Sequence, residues 1–143
     1  MRIVTKYIIF LSFLIIFSCE KSGLIINCKD CFSDEPKKAS IEVKLDPVTP
    51  DSGSYAANIT IYEGNLEDSL VIGSYSIPIS EWKYEVDINK KYTFTATYVS
   101  SKATYIAIDA VYPRVRYDNK KCTDPCYYVY DNKINLRLKY TAK

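Results

Sequence analysis

Strict alternation of apolar and polar residues is the pattern that most constrains the fold of this chain. It is clearest at Trp82, Tyr84 and Val86, which alternate with charged residues in one run. Successive side chains of a β-strand point to opposite faces of a sheet, so this pattern predicts strands with one buried and one exposed face. The chain also contains 14 tyrosines among its 143 residues, and aromatic side chains are common in half-buried strands.

The same pattern recurs along the chain between turn-forming residues. We predict strands over residues 41–45, 59–62, 70–75, 82–88, 92–98, 104–109, 114–117, 127–130 and 134–140. Pro78 lacks a backbone donor and so confines the third strand to an edge or a bend. Short strands at a spacing of about 8 to 12 residues, with no helical period, are typical of sandwiches. The sequence therefore predicts an all-β domain over residues 39–143, an antiparallel β-sandwich of about seven to nine strands.

The first residues have the layout of an export signal. Arg2 and Lys6 precede an apolar run over residues 7–17, and Ser18 then precedes Cys19. A membrane-spanning helix needs about 20 apolar residues, so this run is too short to be one. The order of aliphatic residue, any residue, small residue and cysteine resembles the lipobox of bacterial lipoproteins. The resemblance implies that Cys19 is acylated, becomes the new N-terminus and anchors the protein to a membrane.

The chain becomes electrically neutral if this signal peptide, residues 1–18, is removed. The loss of Arg2 and Lys6 lowers the number of basic residues from 19 to 17, which equals the 17 acidic residues. A neutral chain lacks the cationic surface that attracts nucleic acid or anionic lipid. We therefore expect no nucleic-acid partner, and contact with the membrane through the lipid anchor. Residues 19–38 are polar and broken by Pro36, and we expect them to form a tether.

Four cysteines lie outside the lipobox: Cys28, Cys31, Cys122 and Cys126. An even number of cysteines in an exported chain predicts disulfides, and three pairings are open. Loop-closure entropy favours bridges between the two cysteine pairs, whereas Pro125 suits a local bridge in the second pair. The same thiols support a second hypothesis, a periplasmic metal-binding or thiol-redox protein, because Cys-x-x-Cys spacing occurs in zinc and redox sites.

Catalytic groups are scarce in this sequence. The chain contains no histidine, which removes the usual base of serine and cysteine hydrolases and most transition-metal chemistry. Asp109 lies on an apolar predicted strand and is the first carboxylate to consider for a raised pKa, but no second acid is placed opposite it. Gly-rich phosphate loops and EF-hand spacing are missing from the sequence. We expect a protein that is not an enzyme and needs no cofactor.

Tyrosines and arginines in the last third of the chain form a candidate binding patch. Tyr127, Tyr128 and Tyr130 lie on one predicted strand, so at least one of these rings should be exposed. Arg114 and Arg116 lie on the preceding predicted strand, and exposed tyrosine beside arginine is typical of contact surfaces. A glycan or a protein ligand would suit such a patch. The alternative is that the tyrosines fill the core and rim of a strand-rich fold.

Several stretches resemble those of small uncharacterised lipoproteins of Bacteroidota-type bacteria. They are residues 105–109, the loop from Cys122 to Cys126 with the tyrosine after it, and residues 136–139. Residues 91–98 resemble the tyrosine-bearing strand of immunoglobulin-like and transthyretin-like (carboxypeptidase-regulatory-like) sandwiches. The resemblance implies a β-sandwich attached to the outer membrane and brings no known activity with it.

Two short motifs gain meaning from that resemblance. Acidic residues after the lipidated cysteine can direct such lipoproteins to the cell surface, but here Glu20 is the only acid directly after it. The sequence therefore leaves both locations open, the periplasmic face of the outer membrane and the cell surface. Asp68-Ser69-Leu70 resembles the site at which these bacteria O-glycosylate exported proteins, which makes Ser69 a candidate for modification. The sequence predicts a lipid-anchored cell-envelope protein with a non-catalytic binding or structural role.

Overall fold

Nine β-strands in three sheets make up most of the chain that the structure describes. A computed structural model describes residues 28–47, 56–68, 70–100, 103–120, 122, 124 and 126–138. The strands are β1 (Lys38–Lys44), β2 (Ala57–Glu63), β3 (Val71–Ile77), β4 (Glu81–Asp87), β5 (Tyr92–Val99), β6 (Thr104–Val111), β7 (Arg114–Asp118), β8 (Cys126–Tyr130) and β9 (Lys133–Asn135). The prediction of an all-β chain is confirmed.

Helical structure within these ranges is limited to two short 3-10 turns, at Cys28–Asp30 and Leu66–Asp68. No helix in the described part of the chain has the length and apolar character needed to cross a bilayer. The predicted signal peptide, its lipidation site Cys19 and the candidate glycosylation site Ser69 lie outside the described residues.

Two of the sheets contribute to one hydrophobic core. Their strand orders are β4-β1-β9 and β3-β2-β5-β6. Ile41 and Val43 of β1 are buried in the same cluster as Ile59 of β2 and Phe94 of β5. In β1 and β2 the buried residues lie at alternate positions, as the period of a half-buried strand requires. These two sheets and their shared core are called the two-sheet body below.

The body is not wholly antiparallel, and this corrects the prediction. β9 pairs with β1 in parallel, with Ile134 opposite Val43, whereas β4 pairs with β1 antiparallel on its other side. β9 also ends at Asn135, earlier than the predicted residue 140. Beyond it, the backbone N–H of Leu138 donates to the Asp46 carboxylate over 2.7 Å. The side chain of Asp46 thus accepts the hydrogen bond that a neighbouring strand would otherwise accept from Leu138, and the β1–β9 ladder ends before this residue.

The third sheet is a two-stranded antiparallel ribbon formed by β7 and β8. The chain enters it through Pro113, whose carbonyl accepts a hydrogen bond of 2.8 Å from the backbone N–H of Asn89. It leaves through Asp131, which has a positive φ of 53°, a conformation that aspartate and asparagine adopt more readily than most residues. β7 and β8 are called the ribbon below. In the chain the ribbon lies between β6 and β9, each of which is an edge strand of one of the two sheets of the body.

Candidate functional site

Two disulfides tie the segment before β1 to the ribbon. Cys28 is bonded to Cys122 and Cys31 to Cys126, with Cα atoms 5.7 and 5.0 Å apart. Among the three pairings open to the sequence, this is one of the crossed pairings that loop-closure entropy favours. The cysteine-bearing part of the predicted tether is therefore fixed to the ribbon, and the chain is closed into a covalent loop.

A backbone bridge lies next to the disulfides. The N–H of Phe32 donates to the carbonyl of Tyr127 and the N–H of Tyr127 donates to the carbonyl of Phe32, both over 2.9 Å. This reciprocal pair is the hydrogen-bonded unit of an antiparallel sheet. Phe32 therefore extends the ribbon by one residue, and non-covalent bonds hold the same segments as the disulfides.

The sulfurs of the two disulfides are close neighbours. The Sγ atom of Cys122 lies 3.8 Å from that of Cys31 and 3.9 Å from that of Cys126. These three sulfurs all lie within 4.8 Å of one another. Cys126 is buried, whereas Cys31 and Cys122 are half-buried, and a cavity of about 390 Å³ opens beside them. Sulfurs engaged in disulfides cannot act as thiolate ligands or nucleophiles, so metal or thiol chemistry here requires reduction.

The predicted patch of tyrosines and arginines is divided between the two faces of the ribbon. Arg114 lies opposite Tyr130 and Arg116 opposite Tyr128, so these four residues share one face. Tyr127 lies on the other face, where it packs against another tyrosine ring of β7. Tyr128 is buried, with 7% of its surface exposed. The two arginines are exposed, and a ligand on this face would meet them with the half-buried ring of Tyr130.

Arg114 is already held by its neighbours. Its guanidinium carbon lies 5.1 Å from the centroid of the Tyr112 ring and 5.4 Å from that of Tyr130. Its Nη2 atom also donates to Oδ2 of Asp131 over 3.0 Å. A ligand would have to compete with this carboxylate and these rings for the same cation. The ribbon face is therefore a weak candidate for a binding site.

A second aromatic group lies where the edges of the two sheets meet. It consists of Tyr75 on β3 and of Trp82 and Tyr84 on β4, and each of these strands is an edge strand of its sheet. The three pairs of ring centroids are 5.2, 5.4 and 5.4 Å apart, with tilted planes. Such separations are favourable for aromatic pairs. Tyr84 also meets the buried ring of Phe94 edge-on at 6.4 Å. Tyr75, Trp82 and Tyr84 are called the aromatic cluster below.

The aromatic cluster is partly open to solvent and carries two hydroxyl groups. Tyr75 is 39% exposed, and Trp82 and Tyr84 are half-buried. The hydroxyls of Tyr75 and Tyr84 are 3.4 Å apart. This hydrogen bond, together with burial, raises the pKa of Tyr84 to about 12. At neutral pH Tyr84 therefore keeps its proton and can both donate and accept a hydrogen bond.

Gly73 makes room for the Tyr75 ring. A Cβ atom at position 73 would lie 2.7 Å from a carbon of that ring. Any larger residue would therefore move the ring away from its place in the aromatic cluster. The glycine opposes Ile61 across the β2–β3 pair, next to an irregularity in the register of β2.

Cavities and exposed apolar residues surround the aromatic cluster. Trp82 lines one cavity of about 580 Å³, whose charged residues are Glu42, Lys44, Glu81 and Lys83. Tyr84 lines another of about 150 Å³. Ile79 lines the first cavity and Ile72 lines the second, and both side chains have more than a third of their surface exposed. Exposed apolar side chains grouped in this way are typical of a contact site.

Asp109, the first catalytic candidate from the sequence, has a structural role. Its Oδ2 atom accepts a hydrogen bond of 2.8 Å from the backbone N–H of Asn135. Its Oδ1 atom accepts one of 2.9 Å from the backbone N–H of Ala110. The carboxylate therefore links β6 to β9 across the two sheets, which explains an acidic residue on an otherwise apolar strand.

Sequence reasoning selects the ribbon tyrosines and misses the aromatic cluster. Alternation predicts that Trp82 and Tyr84 lie on the buried face of their strand, and in the structure they do lie on that face. Their partial exposure arises because β3 and β4 are both edge strands, and strand order is not visible in the alternation. Pro78 was the available signal, since it marks β3 as an edge or bend.

Comparisons with protein-family models, curated proteins and solved structures found no match to this chain.

Proposed function

We propose that this chain is a lipid-anchored protein of the cell envelope that binds a ligand without catalysis. Its two sheets act as a sandwich, and Cys19 carries the anchor on the outer membrane after removal of residues 1–18. The order of residues before Cys19 supports the anchor. A non-catalytic role is supported by the lack of histidine in the chain and by the structural engagement of Asp109.

The partly exposed aromatic cluster is the observation that carries the binding role. Tyrosine and tryptophan offer large, rigid contact areas with few rotatable bonds, so little conformational entropy is lost when a ligand binds. The cluster continues into the core through Phe94, which holds the rings in place before a ligand arrives. Such pre-organisation favours affinity.

An uncharged glycan is the ligand that fits this surface best. The cavity beside Trp82 has two acidic and two basic side chains, Glu42, Glu81, Lys44 and Lys83. Their charges balance, so the site has no net attraction for an anion or a cation. Aromatic faces suit the apolar side of a sugar ring, and the tyrosine hydroxyls suit its hydroxyl groups.

Trp82 provides a direct test, because it is the only tryptophan of the chain. We would titrate the full-length protein, purified in mild detergent, with cellohexaose, mannohexaose and chitohexaose. We expect a saturable change of tryptophan emission with at least one of them. Tyr75→Ala should weaken that binding about three- to tenfold, because one aromatic contact contributes about 0.5–1.5 kcal/mol.

Tyr117→Ala is the matched control, since Tyr117 is a 48% exposed tyrosine of the ribbon. This variant should bind the oligosaccharides as tightly as the unaltered protein. A titration in which none of the three sugars changes the emission would contradict the glycan proposal. Equal binding by the Tyr75→Ala protein would also contradict it, provided that its circular dichroism spectrum is unchanged.

The anchor needs a separate test in cells. The full-length chain should sediment with membranes, and the Cys19→Ser variant should lose its lipid and leave the outer-membrane fraction. Metabolic labelling with an alkyne fatty acid should mark the first protein and not the second. Equal labelling, or labelling of neither, would exclude a lipid on Cys19. Protease treatment of intact cells would then decide which membrane face carries the protein.

A further inference from the structure

We propose that the four cysteines at the ribbon bind one Zn²⁺ ion when both disulfides are reduced. The ligands are the thiolates of Cys28, Cys31, Cys122 and Cys126. This site lies outside the aromatic cluster, so it does not depend on glycan binding. The proposal makes the disulfide pair and the zinc site two alternative states of the same four sulfurs.

Three of the four sulfurs already lie close together, two of their separations at the spacing of a tetrahedral zinc site. Four thiolates at a Zn–S distance of about 2.3 Å in tetrahedral geometry have sulfurs about 3.8 Å apart. The Sγ atom of Cys122 already lies 3.8 Å from that of Cys31 and 3.9 Å from that of Cys126. Cys28 lies outside this group of three sulfurs, but its disulfide to Cys122 places it beside them, so opening that bridge leaves a fourth thiolate next to the other ligands. Cys28 and Cys31 also have the two-residue spacer found in many zinc sites.

The scaffold of the site does not depend on the disulfides alone. Phe32 and Tyr127 exchange two backbone hydrogen bonds of 2.9 Å, directly after Cys31 and Cys126 in the chain. Cys126 is also paired with Asp118 across the β7–β8 ladder. The Phe32–Tyr127 bonds join the two cysteine-bearing segments and the Asp118–Cys126 pair joins β8 to β7, so both act beside the covalent bonds. A nearly preformed site lowers the ordering cost of metal binding.

The donor set selects the metal. Four soft thiolates favour zinc over hard cations such as Mg²⁺ and Ca²⁺. The chain has no histidine that could join the site. Cys126 is buried, Cys31 and Cys122 are half-buried and Cys28 is exposed, which leaves the ion an entry path from the cavity of about 390 Å³ that all four residues line.

The oxidised, disulfide-bonded state and the reduced, zinc-bound state differ by four electrons. A thiol or phosphine reductant supplies two electrons to each disulfide and each disulfide takes up two protons, so four electrons and four protons give four thiols in total. A thiol reductant is oxidised to its own disulfide, and a phosphine is oxidised to a phosphine oxide whose oxygen comes from water. Zn²⁺ then binds the four thiolates and their protons are released to solvent. A small-molecule disulfide that re-forms both bridges takes up the four electrons and is itself reduced to thiols, which removes the four thiolate donors and releases the ion.

The test uses the full-length protein in mild detergent, reduced with a water-soluble phosphine and handled without oxygen. After addition of ZnCl2 and gel filtration, we expect one zinc per reduced chain and none on the oxidised chain. Co²⁺ in place of zinc should give intense thiolate-to-metal absorption. Cys122→Ser should weaken zinc binding more than about 100-fold, because a ligand is lost. Cys19→Ser, which changes a cysteine outside the cluster, should leave it unchanged.

Several outcomes would overturn the proposal. One is a reduced protein that retains no zinc although hydrogen exchange shows the β7–β8 pairing intact. Another is a reduced ribbon that loses its protection and does not regain it when zinc is added. Equal zinc binding by the oxidised protein or by the Cys122→Ser variant would also exclude a four-thiolate site. The oligosaccharide titration of the oxidised protein is independent of all these results.

Discussion

The two-sheet body and the ribbon have the same kind of secondary structure but are stabilised by different interactions. In the body, apolar side chains of both sheets are buried together, with Ile59 and Phe94 fully inaccessible. In the ribbon, only Cys126 and Tyr128 of the residues in β7 and β8 are buried. An isolated two-stranded ribbon is marginally stable in water. The disulfides supply the stability that a small hydrophobic surface cannot.

The disulfides of the ribbon also stabilise the two-sheet body. The bridges join residues 94 and 95 positions apart in the sequence. The loop they close contains β1 to β7, and therefore most of the body, although the cysteines lie outside its core cluster. In the chain-entropy description, closing a loop of about 100 residues contributes about 4.7 kcal/mol to the free energy of unfolding.

The largest effect should follow removal of both bridges by serine substitution of Cys28, Cys31, Cys122 and Cys126. We expect the free energy of unfolding of the body to fall by about 4–5 kcal/mol. Each bridge alone closes nearly the same loop, so removing only the Cys28–Cys122 pair should cost far less than half of that. Urea unfolding followed by Trp82 emission measures both values. Equal, additive losses for the two bridges would contradict stabilisation through closure of one shared loop.

Phe94→Ala tests how much the shared hydrophobic core stabilises the two-sheet body. Its ring is fully buried between the two sheets, and its loss leaves a cavity that should cost about 3–5 kcal/mol. Ile108→Ala is the control, because Ile108 is 56% exposed and should change the stability by no more than about 0.5 kcal/mol. Similar urea midpoints for the two variants would mean that the shared core is not the main stabilising element.

Tyr98→Phe removes a polar link inside the body. The Tyr98 hydroxyl donates to the carbonyl of Leu136 over 2.9 Å and accepts from the backbone N–H of Asp46 over 3.2 Å. Leaving these groups without a partner should cost about 1–3 kcal/mol at neutral pH. Urea unfolding of both proteins at pH 7 measures this loss.

The same link predicts a dependence on alkaline pH. Burial raises the pKa of Tyr98 above its ordinary value of 10.0. A raised folded-state pKa means that the contribution is complete below about pH 10 and is lost as the pH rises through the folded value. The difference in stability between the unaltered protein and Tyr98→Phe should therefore shrink at alkaline pH. A difference that is constant up to pH 11 would contradict this assignment.

Glu42→Gln should have the smallest effect. Glu42 lies opposite Lys133 in the β1–β9 pair, with the two charged atoms 3.0 Å apart. The hydrogen bond from Lys133 lowers the pKa of Glu42 below its ordinary 4.5. Its contribution is therefore present above about pH 4.5 and is lost as the pH falls through the folded value. Both side chains are more than a third exposed, so we expect a loss of about 0.2–1 kcal/mol that disappears at high salt. A loss that persists in high salt would contradict an electrostatic origin.

Much of the fold could be predicted because strand formation depends on local pattern. Each predicted strand segment overlaps one of the nine strands, and Pro78 correctly indicates that β3 is an edge strand. The gap between the predicted strands 92–98 and 104–109 is a hairpin, in which the N–H of Ser100 donates to the carbonyl of Ala103. Alternation also identifies the buried residues of β1 and β2.

The remaining features depend on contacts between residues far apart in the chain. No residue pattern shows that the turn at Asn89, between β4 and β5, leads from one sheet to the other. The same holds for the parallel β1–β9 pair and for the aromatic cluster, which joins Tyr75 to Trp82 across two sheet edges. The crossed disulfides were favoured by an argument about the unfolded chain, and residue patterns alone left local pairing open. Which edges meet is decided by the packing of the whole core.

The parallel pairing of β1 with β9 determines when the protein can finish folding. β1 begins at Lys38 and its partner at Lys133, so the ribosome makes the two strands far apart in time. At a synthesis rate of about 5–20 residues per second, β9 is made some 5–20 s after β1. During that interval Val43 lacks the strand that covers its free edge, and a chaperone or another copy could reach it. The positions of β1 and β9 in the chain thus set a period during which this edge of β1 is uncovered, and pairing with β9 ends it.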